Sequence, residues 1–132
     1  MLEQYPNDVK IIIKHFPLNS HRFAMPAAMA AMAAGNQGKF WEFHKALLKN
    51  YNAINDEKIQ SIARELKLDM GRFNGDSKSP ENRALILEDL NDGRRIGVRG
   101  TPSVYINGKK VKGDPLRRVT EELESLKKPA QQ

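Results

Sequence analysis

The run Gly97-Val98-Arg99-Gly100-Thr101-Pro102, leading into Ser103-Val104-Tyr105-Ile106-Asn107-Gly108-Lys109, constrains the fold more than any other stretch of this chain. Glycine reaches left-handed backbone conformations, and proline has a fixed φ and no amide donor, so the first half of this run predicts an irregular loop. The β-branched and aromatic residues that follow favour a strand, and Asn-Gly is the signature of a type I′ hairpin turn. The spacing therefore predicts hairpin arms at Ser103–Ile106 and Lys110–Lys112. Asp114-Pro115 supplies an N-cap and a first-turn proline for a final helix with Leu116, Val119, Leu123 and Leu126 on one side. The tail from Lys127 to Gln132 is expected to fray.

Upstream, Val9, Ile11, Ile12 and Ile13 form a nearly continuous β-branched run, predicting a strand over Val9–Lys14 buried on both faces of an α/β sheet and ended by Pro17. Ala24 to Ala34 reads as a helix that allows close approach of a neighbour, with Gly35 as its C-terminal cap. Its stripe of Met25, Met29 and Met32 fits core packing better than a peptide-binding surface. A second helix is predicted over Lys39–Lys49, with Phe40, Trp41, Phe43, Ala46, Leu47 and Leu48 as its apolar positions. Asn55 caps a third, running through Leu66 and burying Ile59, Ile62, Ala63 and Leu66, with Ile54 and Ile59 placed as a hydrophobic staple. Asp69 caps a short turn with Met70 and Phe73. Ser79-Pro80 opens a helix to about Asp92 with an apolar face of Ala84, Leu85, Leu87 and Leu90.

A chain of 132 residues, with 39% hydrophobic and 29% charged residues, predicts one domain with an ordinary core. No apolar run approaches the roughly 18 residues of a membrane span. The chain contains no cysteine, which excludes a disulfide framework, a thiolate nucleophile and a cysteine-held metal within it. The net charge of +6 includes Arg94, Arg95, Arg99, Lys109, Lys110, Lys112, Arg117 and Arg118 close together in sequence. Asp92, Asp114, Glu121 and Glu122 are interspersed among them and no nucleic-acid motif accompanies them, so they read as a solvated face and nucleic acid is not an expected partner. His15, His21 and His44 have neither metal-ligand spacing nor a cysteine partner, and no carboxylates converge on a general acid–base pair, so the sequence offers no metal site, cofactor or catalytic residue. Gly93, Gly97 and Gly100 suit a helix end and a turn, not a phosphate cradle.

The order strand, several helices, hairpin, helix is that of a thioredoxin-like domain with a helical insertion. Four motifs narrow it: Lys14-His15-Phe16-Pro17-Leu18, Ala24-Met25-Pro26-Ala27-Ala28, Gly38-Lys39-Phe40-Trp41-Glu42, and Gly93-Arg94-Arg95-Ile96-Gly97-Val98-Arg99-Gly100-Thr101-Pro102. In this order and spacing they resemble the DsbA-like branch of the thioredoxin-fold thiol-disulfide oxidoreductases over most of the chain. The resemblance implies an incomplete α/β thioredoxin-like fold over residues 1–132, with a helical insertion at about 24–92, a C-terminal β-hairpin and a helix. It also implies a family member truncated at its N-terminus, because that family's Cys-x-x-Cys lies between the first strand and first helix, and Leu2 to Asp8 matches the stretch after them.

By the same resemblance Gly100, Thr101 and Pro102 form the substrate-facing loop, Pro102 is cis, and Thr101 presents its backbone to an extended or unfolded polypeptide. From sequence alone an X-Pro bond is cis in only about one case in twenty. The family's missing strand lies between the counterparts of Val9–Lys14 and Ser103–Ile106, so the resemblance also implies a gap that the two halves close, that a strand from another molecule fills, or that protomers fill by exchanging elements, and the expected state is a homodimer or higher oligomer, intertwined in the last case. The implied function is that of the substrate-loop and helical portion of a thiol-disulfide oxidoreductase, redox-inactive by itself; the alternative is a non-catalytic peptide-binding or assembly module. With Met1 as the natural start the expected location is the cytoplasm. With an upstream signal and redox segment it is the bacterial cell envelope.

Overall fold

The computed structural model describes residues 3–127. In chain order these form α1 (Ala24–Gly35), α2 (Phe40–Lys49), α3 (Asp56–Glu65), α4 (Met70–Asp76), α5 (Pro80–Arg95), β1 (Tyr105–Ile106), β2 (Lys109–Lys110) and α6 (Pro115–Lys127). Contacts gather the chain into two units: Lys14–Arg99 is one, and Met1–Ile13 with Gly100–Gln132 is the other.

The first of these units is helical and has its own core. α1 contacts each of α2, α3, α4 and α5, and its alanines explain how one helix can serve four neighbours. Ala30, Ala31, Ala33 and Ala34 are buried together with Met29 over more than half of its circumference. Phe43 of α2, Ile59, Ile62 and Ala63 of α3, Leu68, and Phe73 of α4 complete the apolar cluster. The Phe43 and Phe73 rings meet in a tilted pair with centroids 5.8 Å apart.

Local signals fix where these helices begin. Asn55 Oδ1 accepts the Lys58 amide at 2.7 Å, Asp69 Oδ1 the Arg72 amide at 3.1 Å, and Ser79 Oγ the Asn82 amide at 3.2 Å. Each satisfies a first-turn donor that the helix itself leaves unpaired. Pro80 follows Ser79 at the first helical position, where its missing amide costs nothing.

Three helices end in the same Schellman closure. Lys39 donates to Ala34 O at 2.9 Å, Leu68 to Ala63 O at 3.1 Å, and Val98 to Gly93 O at 2.8 Å. The residue before each of these donors is left-handed: Gly38 at φ +76°, Lys67 at +59° and Gly97 at +89°. The left-handed residue closing α1 is therefore Gly38 and not Gly35, which is the last residue of the helix itself.

The buried stripe of α5 also departs from expectation. Asn82, Ile86 and Leu90 are buried at four-residue intervals, whereas Ala84, Leu85 and Leu87 face solvent. The interval of four follows the 3.6-residue period once Asn82 is accepted as an inward position. Its amide donates to Asp76 O at 3.0 Å, so this buried polar group is satisfied. On α2, Trp41 and Leu48 are exposed while Phe43 is fully buried.

In the second unit the strand expected over Val9–Lys14 is not formed. Among the described residues no neighbouring strand supplies the ladder hydrogen bonds that a strand requires, and the isoleucines meant for burial are open: Ile11 38%, Ile12 65% and Ile13 36% exposed. The hairpin is present but shorter than predicted, pairing Tyr105 with Lys110 and Ile106 with Lys109, and Val111 N–H extends it to Val104 O at 2.8 Å. Asn107 and Gly108 both have positive φ, 49° and 82°, as a type I′ turn requires. α6 starts after Asp114, whose carboxylate accepts the Leu116 amide at 2.9 Å. Of its apolar face only Leu123 is buried; Leu116 and Leu126 are exposed. Lys127, near its end, pairs with Asp8 at 3.4 Å and sits over the Tyr5 ring. Of the tail expected to fray from Lys127 to Gln132, Lys127 is the last residue of α6 and the rest lies outside the described residues.

Candidate functional site

The Gly100–Pro102 loop precedes the hairpin. Ser103 Oγ donates to Gly100 O at 2.7 Å, a short local bond that folds the loop onto the start of the strand. Thr101 and Pro102 are exposed, Gly100 is half-buried, and the Thr101–Pro102 peptide bond is cis. β1 pairs only with β2 among the described residues, so its other edge, continuous with Thr101 and Pro102 in the chain, carries free backbone donors and acceptors. The residues singled out from sequence are thus brought together on one exposed turn at one strand edge.

A second constellation lies in the helical unit, between the segment after Ile13 and the start of α2. Asp89 of α5 accepts the His15 amide at 3.0 Å and the Lys14 ammonium at 3.3 Å. His15 meets the Phe40 ring edge-on at 6.2 Å, and His44 stacks on the Phe40 ring at 5.7 Å with ring planes 10° apart. Trp41 closes against His44 edge-on at 5.9 Å. Burial lowers the pKa of both histidines; for His15 the Asp89 carboxylate opposes the shift and His44 adds to it. Sequence reasoning treated the three histidines as separate and missed the convergence of two. Phe40 and His44, four residues apart on α2, were readable as neighbours on one helix face, but nothing local placed His15 beside them.

Among the described residues no three histidine, cysteine, aspartate or glutamate side chains gather as a metal site, and no helix is long and apolar enough to cross a membrane. Several cations of the basic stretch are matched locally: Arg95 with Asp92, and Arg117 and Arg118 with Glu121. No pairing of that kind builds an active centre.

The element order, the loop entering the hairpin and the two-stranded sheet followed by α6 define an incomplete α/β fold of the thioredoxin-like class. The crystal structure of a thioredoxin-like oxidoreductase from Silicibacter pomeroyi DSS-3 superposes with a TM-score of 0.80 at 28% identity, over 98% of this chain and 74% of that one. The family described as Thioredoxin matches residues 1–125, and the chain belongs to it. Similar curated proteins include the Na(+)/H(+) antiporter NhaA 1 of Salinispora arenicola (strain CNS-205), 33% identical over 114 residues, and the Na(+)/H(+) antiporter NhaA of Herminiimonas arsenicoxydans, 30% identical over 125 residues. These alignments take in 86% and 94% of this chain but only 17% and 20% of those relatives.

Proposed function

We propose that this chain is the substrate-loop and helical portion of a DsbA-like thiol-disulfide oxidoreductase, binding extended polypeptide at Gly100, Thr101 and Pro102. The observation that carries the reading is the exposed Thr101–Pro102 turn joined to the unpaired edge of β1. An extended peptide adds to such an edge through main-chain hydrogen bonds, as another strand would. Dithiol-disulfide exchange proceeds by thiolate attack through a mixed disulfide, and the chain has no cysteine, so the thiols must come from polypeptide outside it. Titration with a reduced, extended peptide should shift the amide resonances of Thr101 and Tyr105, and silence at both positions would refute the binding role. An in-frame Cys-x-x-Cys encoded upstream of Met1 would supply the redox half; an unrelated sequence or stop codon there would remove it.

A second reading, a non-catalytic assembly module, is favoured by one observation: Ile11, Ile12 and Ile13 are apolar, exposed and without a ladder partner among the described residues. An unpaired apolar segment of this kind is a template for a strand from a second copy. Sedimentation over a concentration series should then show a homodimer or higher oligomer. A concentration-independent monomer mass would exclude it.

A further inference from the structure

Within the helical unit, α1, α3, α4 and the start of α5 enclose an open trough of about 510 Å³ that the substrate loop does not use. That volume falls in the range of ligand sites. Met25 and Met29 of α1 and Ile59 of α3 give it an apolar lining. Thioether side chains are flexible and polarisable, so they adapt to apolar groups of differing shape. Ser77, at the end of α4, also lines it, and its hydroxyl is buried without a hydrogen-bond partner among the described residues.

The trough is also charged in a way its own residues do not balance. Lys78 and Arg83 line it, and neither lies within ion-pair distance of a carboxylate among the described residues. Asp56 contributes one acidic group to the lining, leaving a net positive site beside an apolar floor. Gln60 Nε2 donates to Asn74 Oδ1 across the wall at 2.8 Å. An occupant that complements this lining carries an apolar side chain next to a carboxylate.

We propose that this trough is a second polypeptide-docking site, taking an extended segment in which an apolar residue adjoins an acidic one. The inference rests on the reading of the chain as a polypeptide binder, and it assigns a separate surface to that task. It gives the methionine stripe a divided role, with Met25 and Met29 at the trough and Met32 outside its lining.

The methionine methyl groups make the test internal to the protein. A short acetylated and amidated peptide of leucine, glutamate, glycine and serine is titrated into methyl-labelled protein, and the Met25, Met29 and Met32 resonances are followed with the Thr101 and Tyr105 amides. The expected result is movement of Met25 and Met29 with Met32 unmoved. Arg83→Ala should weaken the response about three- to fivefold, as removal of one exposed charge contact does. The same peptide with glutamine in place of glutamate should bind more weakly, and added salt should weaken the acidic peptide. Silence at Met25 and Met29 while Thr101 and Tyr105 respond would overturn the trough assignment and leave the loop reading intact. Silence everywhere would overturn both. Equal binding by the glutamine peptide, or by the Arg83→Ala variant, would overturn the charge complementarity on which the proposal stands.

Discussion

Gly93 and Phe16 provide a sharp test of the packing, because the same substitution should change sign with its background. Gly93 lies inside α5 without a left-handed φ, so alanine is conformationally allowed and should gain about 0.8–1.0 kcal/mol of helix propensity. A Cβ built there, however, would lie 2.8 Å from both Cδ2 and Cε2 of the Phe16 ring, and 3.6 Å from Val98 Cβ. Overpacking of this kind costs about 1–3 kcal/mol. Gly93→Ala alone is therefore expected to be neutral to destabilising, by up to about 2 kcal/mol, once the propensity gain is set against the overpacking cost. In a Phe16→Ala background the obstructing ring is gone, and the same change should stabilise by about 1 kcal/mol. The coupling energy of the cycle is then about 1–3 kcal/mol, read from urea unfolding of the four proteins at constant m-value. If Gly93→Ala stabilises both backgrounds equally, the close approach of Phe16 to α5 is not present and the reasoning fails.

Lys67 occupies a left-handed position that glycine adopts without strain, so Lys67→Gly should raise stability by about 0.5–1 kcal/mol in the same assay, provided the Schellman closure of α3 is as described. Ile86→Ala should cost about 2–5 kcal/mol, because Ile86 is fully buried, whereas Leu85→Ala on the solvent side should cost less than about 1 kcal/mol. Burial holds the His15 and His44 pKa values below the ordinary value of about 6.5. The unfolded chain then binds more protons at mildly acidic pH, so their contribution is fully present above about pH 6.5 and is lost as pH falls through the folded-state values. Urea midpoints should decline over that window, and His44→Gln should flatten the decline; an unchanged slope would show that His44 does not titrate differently in the fold.

The helical unit was legible because its determinants are local. Asn55, Asp69 and Ser79 announce helix starts by side-chain chemistry within one turn, and Pro80 fixes the register of α5. The inward face of α5 was not legible, since Asn82 looks polar in a sequence and its side-chain amide is accommodated inside by donating to Asp76 O. Gly35 looked like a cap because it ended the alanine run, yet the chain needed three more residues before its left-handed turn at Gly38. The Val9–Lys14 run shows the limit of pattern reading: β-branched residues state a preference for a strand, but the ladder that makes one is supplied by another segment. The Gly100–Pro102 loop and the hairpin turn were recognisable from Gly-Thr-Pro and Asn-Gly, whereas the gathering of His15 and His44 around Phe40 depends on a contact between distant segments that no local pattern encodes.

These differences locate where the fold is complete and where it is not. The helical unit satisfies its own ends, with three side-chain N-caps and three Schellman closures, and encloses its own apolar cluster. The other unit leaves Ile11, Ile12 and Ile13 open and one edge of β1 unpaired among the described residues. An added strand, whether from peptide or from a second copy, therefore finds an unpaired strand edge among the described residues in only one of the two units. Amide hydrogen exchange distinguishes the outcomes directly. On saturation with an extended peptide that has no acidic residue, and so no match to the trough of α1 and α3, or on raising protein concentration, protection should rise at Val9–Ile13 and Ser103–Ile106, with little change in α1 and α3. Uniform protection across both units would instead mean that association stabilises the whole chain globally, and the division of labour inferred from the unpaired segments would be wrong.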